Sequence, residues 1–356
     1  PLARELPSPT GAPGGDVLST ARVQYWIGRA HYTRGKPNEA AEYYRRVMAV
    51  AQELDDEELQ TVLASRLGAA KNIRGRFDEA LTLLEQALPA LEKYGNWEEW
   101  IRCAANLSIA LAAHGRCDEA EQWSADAIRR AQELNHLTAL GVGYLLKAWS
   151  NFLGGDIPAM EEAARKTIAV AQEAGDALSL YAGYGELAWA QTRLGRLDEA
   201  LVNLGKARQT ARIVEGPLIL SDLFAVAEVE LALRQRNLEK GLALAEAAVA
   251  TAKAASSIFA EGMAERFWAM ALAALNPPRW DDAEAHLTTS LARLEEGGAL
   301  TEAARTRVVW GRLLEQRGNP AGALEQFEQA VEQFDACGLT SEAERARRRM
   351  IRLQTS

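Results

Sequence analysis

A single phrase returns along this chain every forty residues. Gly75-Arg76-Phe77-Asp78-Glu79-Ala80 recurs as Gly115-Arg116-Cys117-Asp118-Glu119-Ala120 and again as Gly195-Arg196-Leu197-Asp198-Glu199-Ala200. Weaker copies begin at Gly35, Gly155 and Gly318, and degenerate ones are centred on Arg236 and Pro278. Successive anchors at 35, 75, 115, 155, 195, 236, 278 and 318 are spaced 40, 40, 40, 40, 41, 42 and 40 residues apart. A fixed period in this range is the signature of stacked supersecondary units, each of which buries its apolar face only against its neighbours. Such an array escapes the size limit on a single core, so 356 residues need not divide into separate globular domains.

The phrase itself reads as a turn between two helices. Glycine takes the left-handed conformation that ends one helix, and Asp or Asn shortly after it is expected to cap the next. Asp118 with Glu121 and Asp281 with Glu284 have the spacing of a capping box. Columns drawn through the copies show what is buried. Seven residues before the anchors stand small residues (Gly28, Gly68, Ser108, Ala148, Ala188, Ala271, Gly311), and five after them stand alanines (Ala40, Ala80, Ala120, Ala200, Ala283, Ala323). Large apolar side chains follow four residues later at Tyr44, Leu84, Leu204, Leu287 and Phe327. The fourth and sixth copies are the least regular, with Lys147, Met160 and Gly241 at positions the pattern gives to other types.

These small-residue and aromatic columns resemble the tetratricopeptide pattern, with Leu-Gly in its first helix and Ala-x-x-x-Phe in its second. The first-helix Trp of that pattern is missing (Gln24, Ala64, Ala104), as is its closing Pro, and the period is longer than the usual ~34 residues. The longer repeat is similar to that of the sensor domains of maltotriose-responsive activators and related signal-transduction ATPases. Ala-Gln-Glu at 51, 131 and 171, just before Asp55, Asn135 and Gly175, fits the same class. The resemblance implies an all-α fold, a right-handed α-α superhelix of about eight helical hairpins over residues 17–356. A capping helix is expected at 341–353, and the Pro- and Gly-rich residues 1–16 read as a linker.

Chemistry is harder to find. His31, His114, His136 and His286 lie in different copies and form no ligand pair, and no phosphate loop, dinucleotide fingerprint or nucleophile elbow is present. The sequence therefore assigns no catalytic residue, no metal and no cofactor, and the chain reads as a non-enzyme. A formal charge of −9 argues against direct binding to nucleic acid or an anionic membrane. The basic run Arg345, Arg347, Arg348, Arg349 and Arg352 reads as a solvated helical face. Cys103, Cys117 and Cys337 form no Cys-x-x-Cys pair, which suits a reducing, cytoplasmic setting. No run approaches the roughly 20 apolar residues of a membrane span.

The resemblance further implies that the first helix of each pair lines a concave groove, exposing positions ten, six and three before the anchor. Those positions hold Tyr25, Arg29 and Tyr32 in the first copy, Leu145, Trp149 and Phe152 in the fourth, and Trp189 in the fifth, with Arg193 beside it and Trp268 in the seventh. Trp149 and Trp189, forty residues apart, are expected side by side, either as a platform for a ligand or as packing between repeats. The expected function is recognition of a protein or peptide in the groove, as part of a larger regulator. The alternative is a sensor of a small effector, such as an oligosaccharide, in a signal-transduction ATPase or transcription regulator.

Overall fold

The computed structural model describes residues 15–214 and 217–355. Within them every regular element is a helix. Eight antiparallel pairs run α1 (Gly15–Thr33) with α2 (Pro37–Glu53), α3 (Glu57–Ile73) with α4 (Phe77–Lys93), α5 (Trp97–Ala113) with α6 (Cys117–Glu133), and α7 (Leu137–Gly154) with α8 (Ile157–Ala174). They continue as α9 (Ala177–Arg193) with α10 (Leu197–Val214), α11 (Ser221–Arg234) with α12 (Leu238–Ala254), α13 (Ile258–Ala273) with α14 (Trp280–Glu296), and α15 (Leu300–Arg317) with α16 (Pro320–Ala336). An unpaired α17 (Thr340–Thr355) follows. The pairs stack into an all-α right-handed superhelix, odd-numbered helices on its inner side. Apart from Gly15 and Asp16, the 1–16 linker lies outside the described residues.

The turns show why the beat exists. Gly35, Gly75, Gly115, Gly155, Gly195 and Gly318 all have φ between +65° and +84°. The next amide then returns to the carbonyl five residues back, as in Lys36 to His31, Arg76 to Lys71 and Arg116 to Leu111, each at 2.9 Å. A matching set of left-handed residues lies midway: Asp55, Gly95, Asn135, Gly175, Ser256, Gly298 and Gly338 join one pair to the next. The true interval between turns is therefore close to twenty residues.

The capping expectation is corrected. Because the left-handed residue leaves only one position before the helix begins, the N-cap is the residue directly after it. Asp156, Asn237 and Asn319 fill that position and accept an amide hydrogen bond, whereas Arg76 and Arg116 fill it without a side-chain cap. Asp118 and Asp281 sit in the first helical turn, where they oppose the positive end of the helix dipole, and form no capping box.

Small and large columns meet within each pair. A methyl group added at Gly28 would lie 2.8 Å from the Tyr44 ring, and one at Gly68 would lie 2.7 Å from Leu84. The missing side chain lets two helices approach closely enough to bury Tyr44 and Leu84 completely.

The superhelix is wound tightly enough to touch itself. The turn after α1 meets the segment before α11, five pairs later, where the Ile219 amide donates to the Thr33 carbonyl at 2.9 Å. The turn after α3 is bonded twice, Ile258 donating to Arg74 at 3.0 Å and Phe77 donating to Gly297 at 2.7 Å. Gly115 abuts Cys337, and Arg305 on α15 donates to the Leu153 carbonyl at 2.9 Å. These contacts form a seam along which one superhelical turn rests on the next, and the interior becomes enclosed.

Candidate functional site

The inner faces of α1, α3, α5, α7 and α9 surround a chamber closed at one side by Ile219, Leu223 and Phe259 across the seam. It contains about 1190 Å³ of empty space, counting its open mouth. Its walls are mainly apolar, with Ile73, Ile109, Val142, Leu145 and Leu178 facing inward. Against them stand three arginines at the same side of successive inner helices, Arg29, Arg66 and Arg102. Arg66 pairs with the buried Glu99 at 2.5 Å, which Ser65 Oγ also reaches at 2.7 Å, and Arg102 pairs with Glu98 at 3.1 Å.

Several polar side chains of the wall have buried atoms without a hydrogen-bond partner, Arg102 Nε, Asn72 Oδ1 and Trp149 Nε1 among them. Asn72 spends its amide nitrogen on the Asn106 carbonyl at 2.8 Å, and its Oδ1 has no hydrogen-bond partner. Trp149, 4% exposed, lines the same chamber, and its Nε1–H, itself buried, has no hydrogen-bond partner either. Buried polar atoms are normally satisfied by protein or ordered water, which sets these wall positions apart from the apolar side chains around them. Burial pushes the Tyr32 hydroxyl up to about 12, although Arg66 and Arg102 pull it down, so it remains a neutral O–H near pH 7.

The nine residues expected at the groove divide into four groups. Arg29, Tyr32, Leu145 and Trp149 line the chamber. Tyr25, Phe152 and Trp189 do not: Tyr25 is buried against Tyr44 of its own partner helix, and Phe152 lies 4.5 Å between ring centroids from Trp189 on the inner helix of the next pair. Trp149 and Trp189 are indeed adjacent, edge to face at 5.6 Å, yet the Trp189 Nε1–H donates to Glu230 on α11 at 2.8 Å and its ring is wholly enclosed. Trp268 faces its own partner helix, stacked on His286 at 4.2 Å. Arg193 lines a second cleft further along, its guanidinium over the Phe152 ring at 4.3 Å.

Sequence reasoning missed Arg66, Arg102, Asn72 and Phe259. Asn72 was within reach, since it stands three residues before Gly75 just as Tyr32 stands before Gly35. Phe259 was not, because it reaches the chamber only through the seam. Among the described residues no group of His, Cys, Asp and Glu is placed to hold a metal ion, and no helix is long and apolar enough to cross a membrane.

The tetratricopeptide repeat family matches this sequence over residues 59–133 and, through a second profile, over 27–54. Those segments contain four of the left-handed turns described above, at Gly35, Gly75, Gly95 and Gly115. These segments are tetratricopeptide-like repeats, and the rest of the described chain repeats the same helical hairpin. Solved structures with the same fold include the Rap conjugation gene regulator of plasmid pLS20 in complex with the Phr* peptide. It is 14% identical with a TM-score of 0.53, the match covering 96% of this chain and 83% of that one. Another is the signal transduction ATPase with numerous domains from Pyrococcus horikoshii, described as having a tetratricopeptide repeat sensor, at 13% identity and a TM-score of 0.52. That match covers 93% of this chain and 50% of the other, so this tetratricopeptide-like array spans about half its length. No curated protein sequence matches the chain.

Proposed function

We propose that this repeat array is a non-catalytic recognition module that takes a short peptide segment into the chamber. The observation that supports the reading is a mainly apolar wall interrupted by three arginines and by buried polar atoms without partners, Trp149 Nε1–H and Asn72 Oδ1 among them. One donor and one acceptor complement a backbone amide, and the surrounding Ile, Leu and Val side chains suit the apolar residues of the segment. The peptide bound by the pLS20 regulator supports the choice by analogy of fold alone. Residues 17–356 form the module in this reading and 1–16 its linker, acting in a reducing cytoplasm where Cys103, Cys117 and Cys337 stay free. A larger regulatory protein is the setting proposed.

The second reading, a small effector sensed in the same chamber, is favoured by the enclosure that the seam provides. The mainly apolar walls suit an apolar effector, and Arg29, Arg66, Arg102, Tyr32 and Asn72 supply polar partners of the kind an oligosaccharide needs. Titration under tryptophan fluorescence with pools of short apolar peptides, apolar metabolites and oligosaccharides separates the two. Binding to peptides that Trp149→Phe and Asn72→Leu each weaken about tenfold or more supports the first reading. Binding only to non-peptide ligands replaces it with the second, and peptide binding indifferent to both substitutions removes the chamber from either.

A further inference from the structure

The second cleft is built from the inner faces of α9, α11, α13, α15 and α17, and holds about 980 Å³ of empty space counting its mouth. Its floor is apolar, with Phe267, Met270, Val308, Phe327 and Phe334. Seven arginines line it beside only two carboxylates, Glu230 and Glu342.

Most of these arginines are accounted for. Arg193 and Arg234 share Glu230 at 3.2 and 3.0 Å. Arg305 grips Glu342 with two nitrogens at 2.9 Å each and also holds the buried Glu302, which Arg266 meets at 2.7 Å. Arg349 reaches Glu315 at 2.9 Å. Two remain. Among the described residues neither Arg312 nor Arg345 forms an ion pair, and Arg345 donates only to the Ser341 hydroxyl at 3.1 Å. Burial disfavours the Arg312 charge, and so does Arg349 beside it. Seven guanidinium groups thus meet four carboxylates (Glu230, Glu302, Glu315 and Glu342), leaving an excess of three positive charges in one cleft of a chain whose net charge is −9. Arginine does not shed its proton to relieve such crowding, so an anion is the natural counterweight.

We propose that this cleft binds a small organic phosphate bearing two or more phosphoryl groups, with Arg312, Arg345 and Arg349 on the phosphoryl oxygens and the apolar floor under the organic part. A planar guanidinium matches phosphoryl oxygens with two parallel hydrogen bonds. Adjacent phosphoryl groups deliver several negative charges within a few ångströms, whereas carboxylates along a peptide are spread out. The cleft also lacks any Asn, Gln, Ser or Thr among its lining residues, so a peptide backbone would find no neutral partner there. The site is separate from the chamber and stands without the peptide reading.

Isothermal titration of the whole chain with inorganic tripolyphosphate, a nucleoside triphosphate and a hexose bisphosphate, at roughly 0.15 M salt, tests it. Saturable one-to-one binding is expected for at least one of the three. The double variant Arg312→Ala/Arg345→Ala should weaken it by tenfold or more with the helical circular dichroism unchanged, while Arg129→Ala on the outer surface and Trp149→Phe in the chamber leave it alone. Tighter binding of an organic phosphate than of tripolyphosphate supports the role of the floor, and equal binding overturns that role. The proposal falls if no phosphate saturates, if the double variant binds as well as the parent, or if a glutamate-rich decapeptide binds more tightly than all three.

Discussion

Gly115 rests directly against Cys337, two residues separated by most of the chain, with no room between them for a methyl group. Gly195 occupies the equivalent turn two repeats later with nearly the same backbone (φ +81° against +82°), yet a methyl group there would meet nothing within 4 Å. The pair therefore separates the local strain of a left-handed alanine from the contact between superhelical turns.

Both Gly115→Ala and Gly195→Ala should lose the ~1–2 kcal/mol that L-residues lose in this conformation. Gly115→Ala should lose about 2 kcal/mol more, the range expected for overpacking a close contact. Urea denaturation measures the difference, and small-angle scattering should show an expanded particle for Gly115→Ala alone. Equal losses with equal radii would mean that the seam carries no stability.

Trp189→Ala should act on folding rather than on binding. It removes a wholly enclosed indole and takes a hydrogen bond from the buried Glu230, so a loss of about 3–5 kcal/mol is expected. Trp149→Phe keeps an aromatic ring but removes the unpartnered N–H together with part of a buried indole, so its denaturation midpoint should fall much less than that of Trp189→Ala while chamber ligands weaken. The reverse pattern would place the binding surface on the wrong side of the tryptophan cluster.

The spacing of Trp149 and Trp189 shows both what the sequence reveals and where it stops. Equal offsets from Gly155 and Gly195 are enough to place the two indoles together on successive inner helices, because the period repeats the same local geometry. Which of them remains accessible depends on how steeply each pair rotates on the one before. That rotation is the sum of many packing contacts, and no residue pattern spells it out. Phe259 and Ile219 were hidden for the same reason, since they enter the chamber across contacts nearly two hundred residues apart in sequence. Arg345 and Arg349 were visible as part of a basic run, but the run divides by helix face: Arg347 and Arg348 pair outward with Asp335 and Glu344 while the other two point into the cleft.

Acid should unfold the protein partly through Glu302. Burial by itself would raise this carboxyl, but Arg266 and then Arg305 outweigh burial and hold it at about 2, well below the 4.5 of an exposed glutamate. A carboxyl lowered by folding stabilises the native state above its unfolded value and loses that contribution as pH falls toward its folded one. Roughly 3 kcal/mol should therefore disappear between pH 5 and pH 2. Glu302→Gln should flatten that part of the stability profile and lower stability at pH 7, because Arg266 is left buried without its counter-charge. An unchanged acid limb in the variant would assign the loss to other carboxylates.

Glu186 should behave in the opposite sense. It is fully buried, both carboxylate oxygens lack partners, and burial pushes it far above the usual range. The unfolded chain releases this proton first as pH rises, so the folded state loses stability from about pH 4.5 upward. Glu186→Gln abolishes the titration, and its denaturation midpoint relative to the parent should improve steadily from pH 4 to pH 8. A constant offset across that range would show that the carboxyl ionises alike in both states.

An open array of repeats gains or loses a unit with only its two neighbours affected. The bonds from Thr33 to Ile219 and from Phe77 to Gly297 remove that freedom here, since each joins units whose separation along the chain is set by how many lie between. Deleting one hairpin from the middle would bring unrelated turns into apposition and break all these bonds at once. Copy number is thereby a structural constant of this molecule, counted by its own winding, and growth is tolerated only at an end.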